Sequence, residues 1–289
     1  MIAVTGATGH LGRSTLQALA KRAPVDKIVA IVRDPHKGED LRQQGFVVRR
    51  GDYDDPASMV AALFGVDRLL LISSNALGAR VRQHEQVVAA AAEAGVSLLA
   101  YTSLLHCDTA RMALAAEHRA TEACIRRAAI PYVILRNGWY LENYGDTLAQ
   151  ALQSGALIGC AQGGRISAAA RADYAAAAAV VLTEPGHMNK TYELAGDSAL
   201  SLEELAALVC QRSGKTVRYQ QLAPEDYLAA LQNHAVPPAL AHMLVDSDRG
   251  IGRGELHDTA GKLSQLIGRP TAAWDSLVAR VLRSNEPSR

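Results

Sequence analysis

Short continuous runs of valine, isoleucine and leucine recur through the first 140 residues, and between them lie stretches with apolar side chains at helical spacing. "IAVTGA", "KIVAIVRD", "FVVRRGD", "RLLLISS", "SLLAYTSLL" and "YVILRNG" read as strands. "LGRSTLQALAKRA", "HKGEDLRQQG", "PASMVAALFGV", "VRQHEQVVAAAAEAGV" and "ALAAEHRATEACIRRAAI" read as helices, the second closed by Gly45. A strand that is apolar at every position is buried on both faces, as parallel sheets demand. Right-handed strand–helix–strand units repeated in this way predict an α/β fold with a doubly wound parallel sheet of Rossmann type.

Past about residue 140 the rhythm loosens. "RADYAAAAAVVLTE" reads as an alanine-rich helix packed on the sheet, "KTYELAGD" and "TVRYQQL" as strands, and "PEDYLAAL" as the start of a helical pair. "SLEELAALVCQRSG" carries a capping box, Ser201 as N-cap with Glu204 three residues on. The expectation is a Rossmann domain over residues 1–140 and a smaller, partly interleaved α/β lobe over 141–289, with a soft boundary. The tail "SNEPSR" is expected to fray.

The loop after the first strand has glycines at Gly6, Gly9 and Gly12. In a dinucleotide site the first makes the strand-to-helix turn, the second lets backbone approach a pyrophosphate, and the third lets helix pack closely on strand. The helix start then offers free N–H groups to the anion. The other reading is a tight turn with no ligand; the position between a buried strand and an amphipathic helix favours the nucleotide. On that reading Gly6, Ala7, Thr8, Gly9, His10, Leu11 and Gly12 line the phosphates. At the end of the second strand Arg33 stands where enzymes built for NAD usually carry an acid, and a guanidinium there would pair with a 2′-phosphate. This points to NADPH (NADP), against the alternative that Arg33 is a solvated loop residue and Asp34 binds the ribose. Asp52 is a candidate acceptor for the adenine amino group, or a turn carboxylate. Ser73, Ser74 and Asn75 end the fourth strand, at the sheet edge where such folds bind ligands.

Charge adds only exclusions. With 30 Lys and Arg against 29 Asp and Glu the net charge is +1, which gives no pull toward nucleic acid or an anionic membrane. The apolar runs are too short to span a bilayer, and Met1 leads into a strand with no secretory pattern, so a cytoplasmic location is expected. The four cysteines are scattered without a CxxC pair and read as reduced thiols. No histidine spacing suggests a metal. None of the six lysines follows a tyrosine by four residues, so the tyrosine–lysine pair of short-chain dehydrogenases is absent. "SGKT" lacks the upstream glycine of a phosphate loop, because that position is Val209, and there is no GxSxG elbow.

"VTGATGHLG", "YTSLLHCDT", "EHRATEACIRRAAIPYVILRNGWYLENY", "AARADYAAAA", "YELAGDSALSLEELA" and "LIGRPTAAW" together resemble the NmrA-like, atypical short-chain dehydrogenase group over almost the whole chain. The resemblance implies NADPH bound to the Rossmann domain, a quinone substrate held by the smaller lobe, and two-electron reduction without flavin or metal. It also carries cofactor contacts onto Gly6–Gly12, Arg33, Ser73–Asn75 and the loop Asn137, Gly138, Trp139, Tyr140, Leu141 and Glu142. Many relatives have a lysine where this chain has His118, four residues before Glu122. His118 is then either the proton donor, an imidazole poised near neutral pH, or a helix-surface residue paired with Glu122.

"NGWYLENY" is rich in groups that stack and hydrogen-bond. Trp139, Tyr140 and Tyr144 offer a flat ring an aromatic wall, while Asn137 and Asn143 offer amides; ordinary core packing is the competing reading. The catalytic candidates are His118, Tyr140 and Asn143. Arg171 and Asp173 line the cleft or form a buried ion pair, and "DSDRGIGRGE" is a candidate flap. A monomer or homodimer acting on a small-molecule quinone is expected. The alternative is a dinucleotide-binding redox sensor without turnover, as the group also includes.

Overall fold

The computed structural model describes residues 1–76 and 78–285. The last four residues of the "SNEPSR" tail lie outside the described residues. The chain divides into two compact units, each drawn from three stretches of sequence. Unit one holds residues 1–107, 117–137 and 171–194; unit two holds 108–116, 138–170 and 195–289. Three stretches thus fall on the opposite side of the line at residue 140: Asp108–Ala116 and residues 138–140 group with unit two, and Arg171–Leu194 with unit one.

Unit one is a seven-stranded sheet, every neighbouring pair parallel, in the order β3-β2-β1-β4-β5-β6-β8. Its elements are β1 (Ile2–Val4), α1 (His10–Ala20), β2 (Ile28–Val32), α2 (Glu39–Gln43), β3 (Val47–Arg50), α3 (Pro56–Leu63), β4 (Arg68–Leu71), α4 (Arg80–Glu93), β5 (Leu98–Leu104), α5 (Ala113–Arg127, its last eleven residues), β6 (Tyr132–Asn137), α7 (Arg171–Thr183) and β8 (Lys190–Leu194). The first six strands follow the doubly wound order that the strand–helix rhythm implies. Every residue of β2 and β5 is buried, which is why those strands read as unbroken apolar runs. One face of the sheet closes over Ala3, Val29, Ile31, Leu69, Leu71, Leu99, Tyr101 and Ile134, packed with Met59, Leu63, Val87 and Ala91 from α3 and α4. Each fully buried large aliphatic there contributes about 1.5–3 kcal/mol over its exposed state. On the other face α7 lies along α1, and its buried alanines (Ala175, Ala177, Ala178, Ala179) have too little bulk to hold the helices apart.

Unit two contains α6 (Gly145–Ser154), β7 (Ala156–Gly159), α8 (Leu202–Ser213), β9 (Arg218–Gln221), α9 (Pro224–Asn233), α10 (Pro238–Gly252), α11 (Lys262–Ile267) and α12 (Trp274–Ser284). β7 and β9 form a parallel two-stranded sheet. α12 packs on α6 and α8 through Trp274, Leu277, Val278 and Val281. The capping box forms as read: Glu204 N–H donates to Ser201 Oγ at 3.2 Å, and Ser201 N–H to Glu204 Oε2 at 2.8 Å.

The segment "DSDRGIGRGE" is no flap. Its first seven residues belong to α10, with Ser247, Asp248, Gly250 and Ile251 buried. Asp248 accepts from Cys160 N–H at 2.7 Å, and a Cβ on Gly250 would sit 2.6 Å from Met112. Gly250 and Gly252 serve close packing, and Gly254 takes the positive φ of the turn that follows α10. Burial pushes the Asp248 carboxyl up to about 6, against the opposing effect of that backbone hydrogen bond.

Candidate active site

Strand order reverses at β1, which has β2 on one side and β4 on the other. Open α/β sheets bind ligands at the carboxyl ends of the strands at such a point. Gly6 leaves β1 with φ +57°, a left-handed conformation that glycine adopts without strain, and it faces Ile72 beyond β4. Gly9 N–H donates to Gly6 O at 2.9 Å and closes the turn. A Cβ on Gly12 would lie 2.3 Å from Gly6 O and 2.8 Å from Ala7 Cα, so this glycine sets how closely α1 approaches the loop. Ala7 and Leu11 are buried beneath the loop, Thr8 is half-buried, and Gly6, Gly9 and His10 are exposed. No side chain caps α1 and its first turn has no acid, so the positive end of the helix faces outward uncompensated.

Arg33 follows β2, is exposed, and makes no hydrogen bond or ion pair among the described residues. Asp34 is committed elsewhere: it accepts from His36 N–H at 3.0 Å and caps the short turn Pro35–Gly38. Asp52 accepts from Asp54 N–H at 3.1 Å, within the turn that leads to α3. Next to it the Tyr53 hydroxyl lies 2.5 Å from Thr5 Oγ1 and 2.8 Å from Ile72 O, tying this turn to the ends of β1 and β4. Burial holds that phenol protonated far above its ordinary range.

After β4 the three polar residues differ sharply. Ser74 is fully engaged: its N–H donates to His84 Nε2 (2.9 Å), its O accepts from Arg80 Nε (2.6 Å), and its Oγ donates to Gln83 Oε1 (2.5 Å) and accepts from Ala76 N–H (3.1 Å). Ser73 is held only by its backbone, through Thr102 Oγ1 at 2.9 Å. The side chains of Ser73 and Asn75 make no hydrogen bond among the described residues, which leaves them to meet a ligand at the sheet edge. Asn137, the last residue of β6, is buried, and its Oδ1 has no partner among the described residues. A buried amide oxygen left unpaired costs about 1–3 kcal/mol, so a donor brought by a ligand would recover it.

His118 fits neither sequence reading. It is 4% exposed, so it is not a helix-surface residue. Its Nδ1 lies 2.7 Å from the Tyr101 hydroxyl, and burial, with the Arg80 charge nearby, pushes its pKa down to about 3. A neutral imidazole at that value is no donor at neutral pH. Nor is Glu122 its partner: that carboxylate accepts from Arg136 (2.7 and 2.9 Å), Ser103 Oγ (2.5 Å) and Arg126 (2.9 Å). Burial works against the Glu122 charge, and the Arg136 and Ser103 hydrogen bonds more than offset it, leaving the carboxyl below its ordinary range. His84 is likewise fully buried and pushed down to about 3, by burial first, then by the repulsion it would meet were His118 also protonated, and by the Arg80 charge.

The loop of residues 138–143 in unit two is pinned to Ala169. Ala169 N–H donates to Trp139 O at 3.1 Å and Leu141 N–H to Ala169 O at 3.0 Å, while Asn143 N–H donates to Tyr140 O at 3.1 Å. Gly138 and Leu141 are buried, Trp139, Tyr140 and Glu142 half-buried, and Asn143 exposed. Tyr144 leaves the expected aromatic wall: it is buried in unit two against Trp274, ring centroids 5.3 Å apart. Asp173 is buried in the first turn of α7. Sequence reading missed the side chains that hold the loops of unit one, namely Thr5, Tyr53, Thr102, Arg80, Gln83 and His84. Their partners lie up to 67 residues away in sequence, and no local pattern marks them. Among the described residues no three His, Cys, Asp or Glu side chains are placed to hold a metal, and no helix is long and apolar enough to cross a membrane.

Residues 1–258 match the model of the NmrA-like family. Over 285 residues the chain is 50% identical to quinone oxidoreductase 2 of Escherichia coli K12, covering 99% of this chain and 100% of that one. The solved structure of the NADPH-dependent Escherichia coli quinone oxidoreductase complexed with NADPH superposes with a TM-score of 0.96 over 98% of this chain and 100% of its own. The Citrobacter sp. triphenylmethane reductase complexed with NADP(H) is 39% identical, with a TM-score of 0.94 over 97% of this chain and 100% of that one.

Proposed function

The chain belongs to the NmrA-like family, and from that premise we propose that it is an NADPH-dependent quinone oxidoreductase that delivers hydride directly to a quinone, without flavin or metal. The end-to-end likeness to the Escherichia coli enzyme carries this reading. The residues of unit one fit the cofactor. The turn Gly6–Gly9 and the uncapped start of α1 suit a pyrophosphate, the unengaged Arg33 suits a 2′-phosphate, and the unpaired Asn137 Oδ1 suits an amide donor. Asp34 Oδ1 is turned to His36 N–H, which weakens its claim on an unphosphorylated ribose.

When bound, the reduced nicotinamide supplies a hydride equivalent, two electrons with one proton. The quinone's own electrophilicity drives the reaction, so the protein's task is alignment and exclusion of side reactions. Within unit one, Ser73, Asn75 and Asn137 would orient the cofactor. Tyr140 and Asn143 donate hydrogen bonds to a quinone oxygen, where negative charge grows as the ring is reduced. The second proton of the hydroquinone comes from solvent, because His118 is buried, neutral and bonded to Tyr101. The test is steady-state oxidation of NADPH, followed by its absorbance, with and without a simple benzoquinone. Quinone-dependent oxidation with one hydroquinone formed per NADPH is expected. Tight NADPH binding with no quinone-dependent oxidation would support the redox-sensor reading instead.

A further inference from the structure

Gln83 sits on α4, buried to 8% exposure, and its single amide spans two loops. Oε1 accepts from Ser74 Oγ at 2.5 Å, on the loop after β4, and Nε2 donates to Asp54 Oδ2 at 2.8 Å, on the loop after β3. Asp54 Oδ1 also receives Arg82 at 2.5 Å. Those two hydrogen bonds hold the Asp54 carboxyl below its ordinary range, the Arg82 bond first. The two loops carry Asp52 on one side and Ser73 with Asn75 on the other, so this side chain bridges both walls directly, beside the Tyr53 hydroxyl that ties the same turn to Ile72 O. The neighbouring His84 reinforces one wall only. Its Nε2 accepts from Ser74 N–H, which puts its proton on Nδ1 and aims it at Thr121 Oγ1, 3.0 Å away.

We propose that Gln83 is a positioning residue for cofactor binding: it sets the distance between the Asp52–Asp55 loop and the Ser73–Asn75 loop without touching the cofactor itself. The proposal rests on the reading that unit one binds NADPH. The chemistry is specific to an amide. Ser74 Oγ already accepts from Ala76 N–H and needs an acceptor for its proton, whereas the Asp54 carboxylate needs a donor. Leucine offers neither. Glutamate accepts from Ser74 but sets a second carboxylate against Asp54, and Asp54→Asn restores a donor opposite it.

The test compares NADPH dissociation constants, kcat at saturating NADPH, KM for the quinone and the apo unfolding midpoint for the parent, Gln83→Leu, Gln83→Glu and Gln83→Glu with Asp54→Asn. Both single variants are expected to weaken NADPH binding about tenfold, the scale of a lost hydrogen bond to a charged group. Saturated kcat and quinone KM should stay within about twofold, and the double variant should regain most of the affinity, as coupled neighbours do. Single variants that bind NADPH as tightly as the parent would overturn the proposal, as would a double variant no better than Gln83→Glu. A loss of affinity that tracks a lower unfolding midpoint, with no recovery in the double variant, would show a merely structural role. If the parent itself binds no NADPH, the functional reading fails and the proposal with it.

Discussion

Replacing Gly12 by alanine sets two effects of known size against each other. In an open helix interior the change would stabilise by about 1 kcal/mol, the difference in helix propensity. Here the new Cβ would stand 2.3 Å from Gly6 O, 2.8 Å from Ala7 Cα and 2.9 Å from Gly6 C, all backbone atoms of the loop. None of these is a flexible side-chain end, so α1 must shift, although α7 is packed along it. Overpacking of this kind costs about 1–3 kcal/mol or more, and the overlap, with three backbone atoms at once, puts this site at the upper end. The net effect is destabilisation by about 1–2 kcal/mol, a fall of a few degrees in unfolding temperature. Because the displaced backbone belongs to the proposed phosphate cradle, NADPH affinity should drop at least about tenfold. Gly145 is the control: it opens α6 with φ −55° and ψ −56°, and a Cβ there meets nothing within 4 Å. Gly145→Ala should therefore leave NADPH binding unchanged and the midpoint equal or higher. Differential scanning calorimetry and fluorescence titration with NADPH read both quantities. A Gly12→Ala protein as stable as the parent, with unchanged affinity, would refute the claim that this glycine sets the helix–loop contact.

Arg33→Ala should weaken NADPH binding by about tenfold or more while leaving NADH within about twofold, because only the phosphorylated ribose loses a charged partner; equal losses for both dinucleotides would count against it. His84 and His118, held near pKa 3 when folded against 6.5 unfolded, each add stability that is full above about pH 6.5 and is lost as pH falls toward 3. The sign follows because the unfolded chain takes up the protons the folded one refuses, so urea midpoints should decline below pH 6.5 and decline less in His118→Gln. That variant should also keep the shape of the pH–rate profile between pH 6 and 8, since His118 does not titrate there; a lost limb would restore it as a donor. Ser201→Ala should cost about 1 kcal/mol in urea unfolding through loss of the capping box that starts α8, with NADPH affinity unchanged.

The sheet was legible because its strands are buried on both faces and so read as unbroken apolar runs. Their alternation with helices, together with right-handed crossovers, leaves few orders for the strands. β8 was harder to place: "KTYEL" is largely polar and exposed at the sheet edge, so nothing local shows that it returns to pair with β6. The burial of His118 had a signal that charge-pair reasoning overrode. Ala115, His118, Glu122 and Ile125 fall at helical spacing along one stripe of α5, and all four are buried. The i, i+4 spacing to Glu122 suggested a surface pair, whereas Arg136 from β6 claims that carboxylate. In "DSDRGIGRGE" composition misled, because glycines required by close contact look the same in sequence as glycines required by motion. The loops' hydrogen-bond partners were invisible for a simpler reason: the pairs Gln83–Asp54 and Tyr53–Thr5 are set by topology, not by local pattern.

Direct transfer to the quinone is tested most sharply by a single turnover of flavin-free protein. Purified chain shown by absorbance to lack flavin is mixed in a stopped-flow cell with a benzoquinone and NADPH, either unlabelled or deuterated at the transferred position of C4. The account predicts complete two-electron reduction of one quinone per NADPH, slowed severalfold by deuterium and unaffected by added flavin. Quinone reduction that begins only when flavin is added would contradict it.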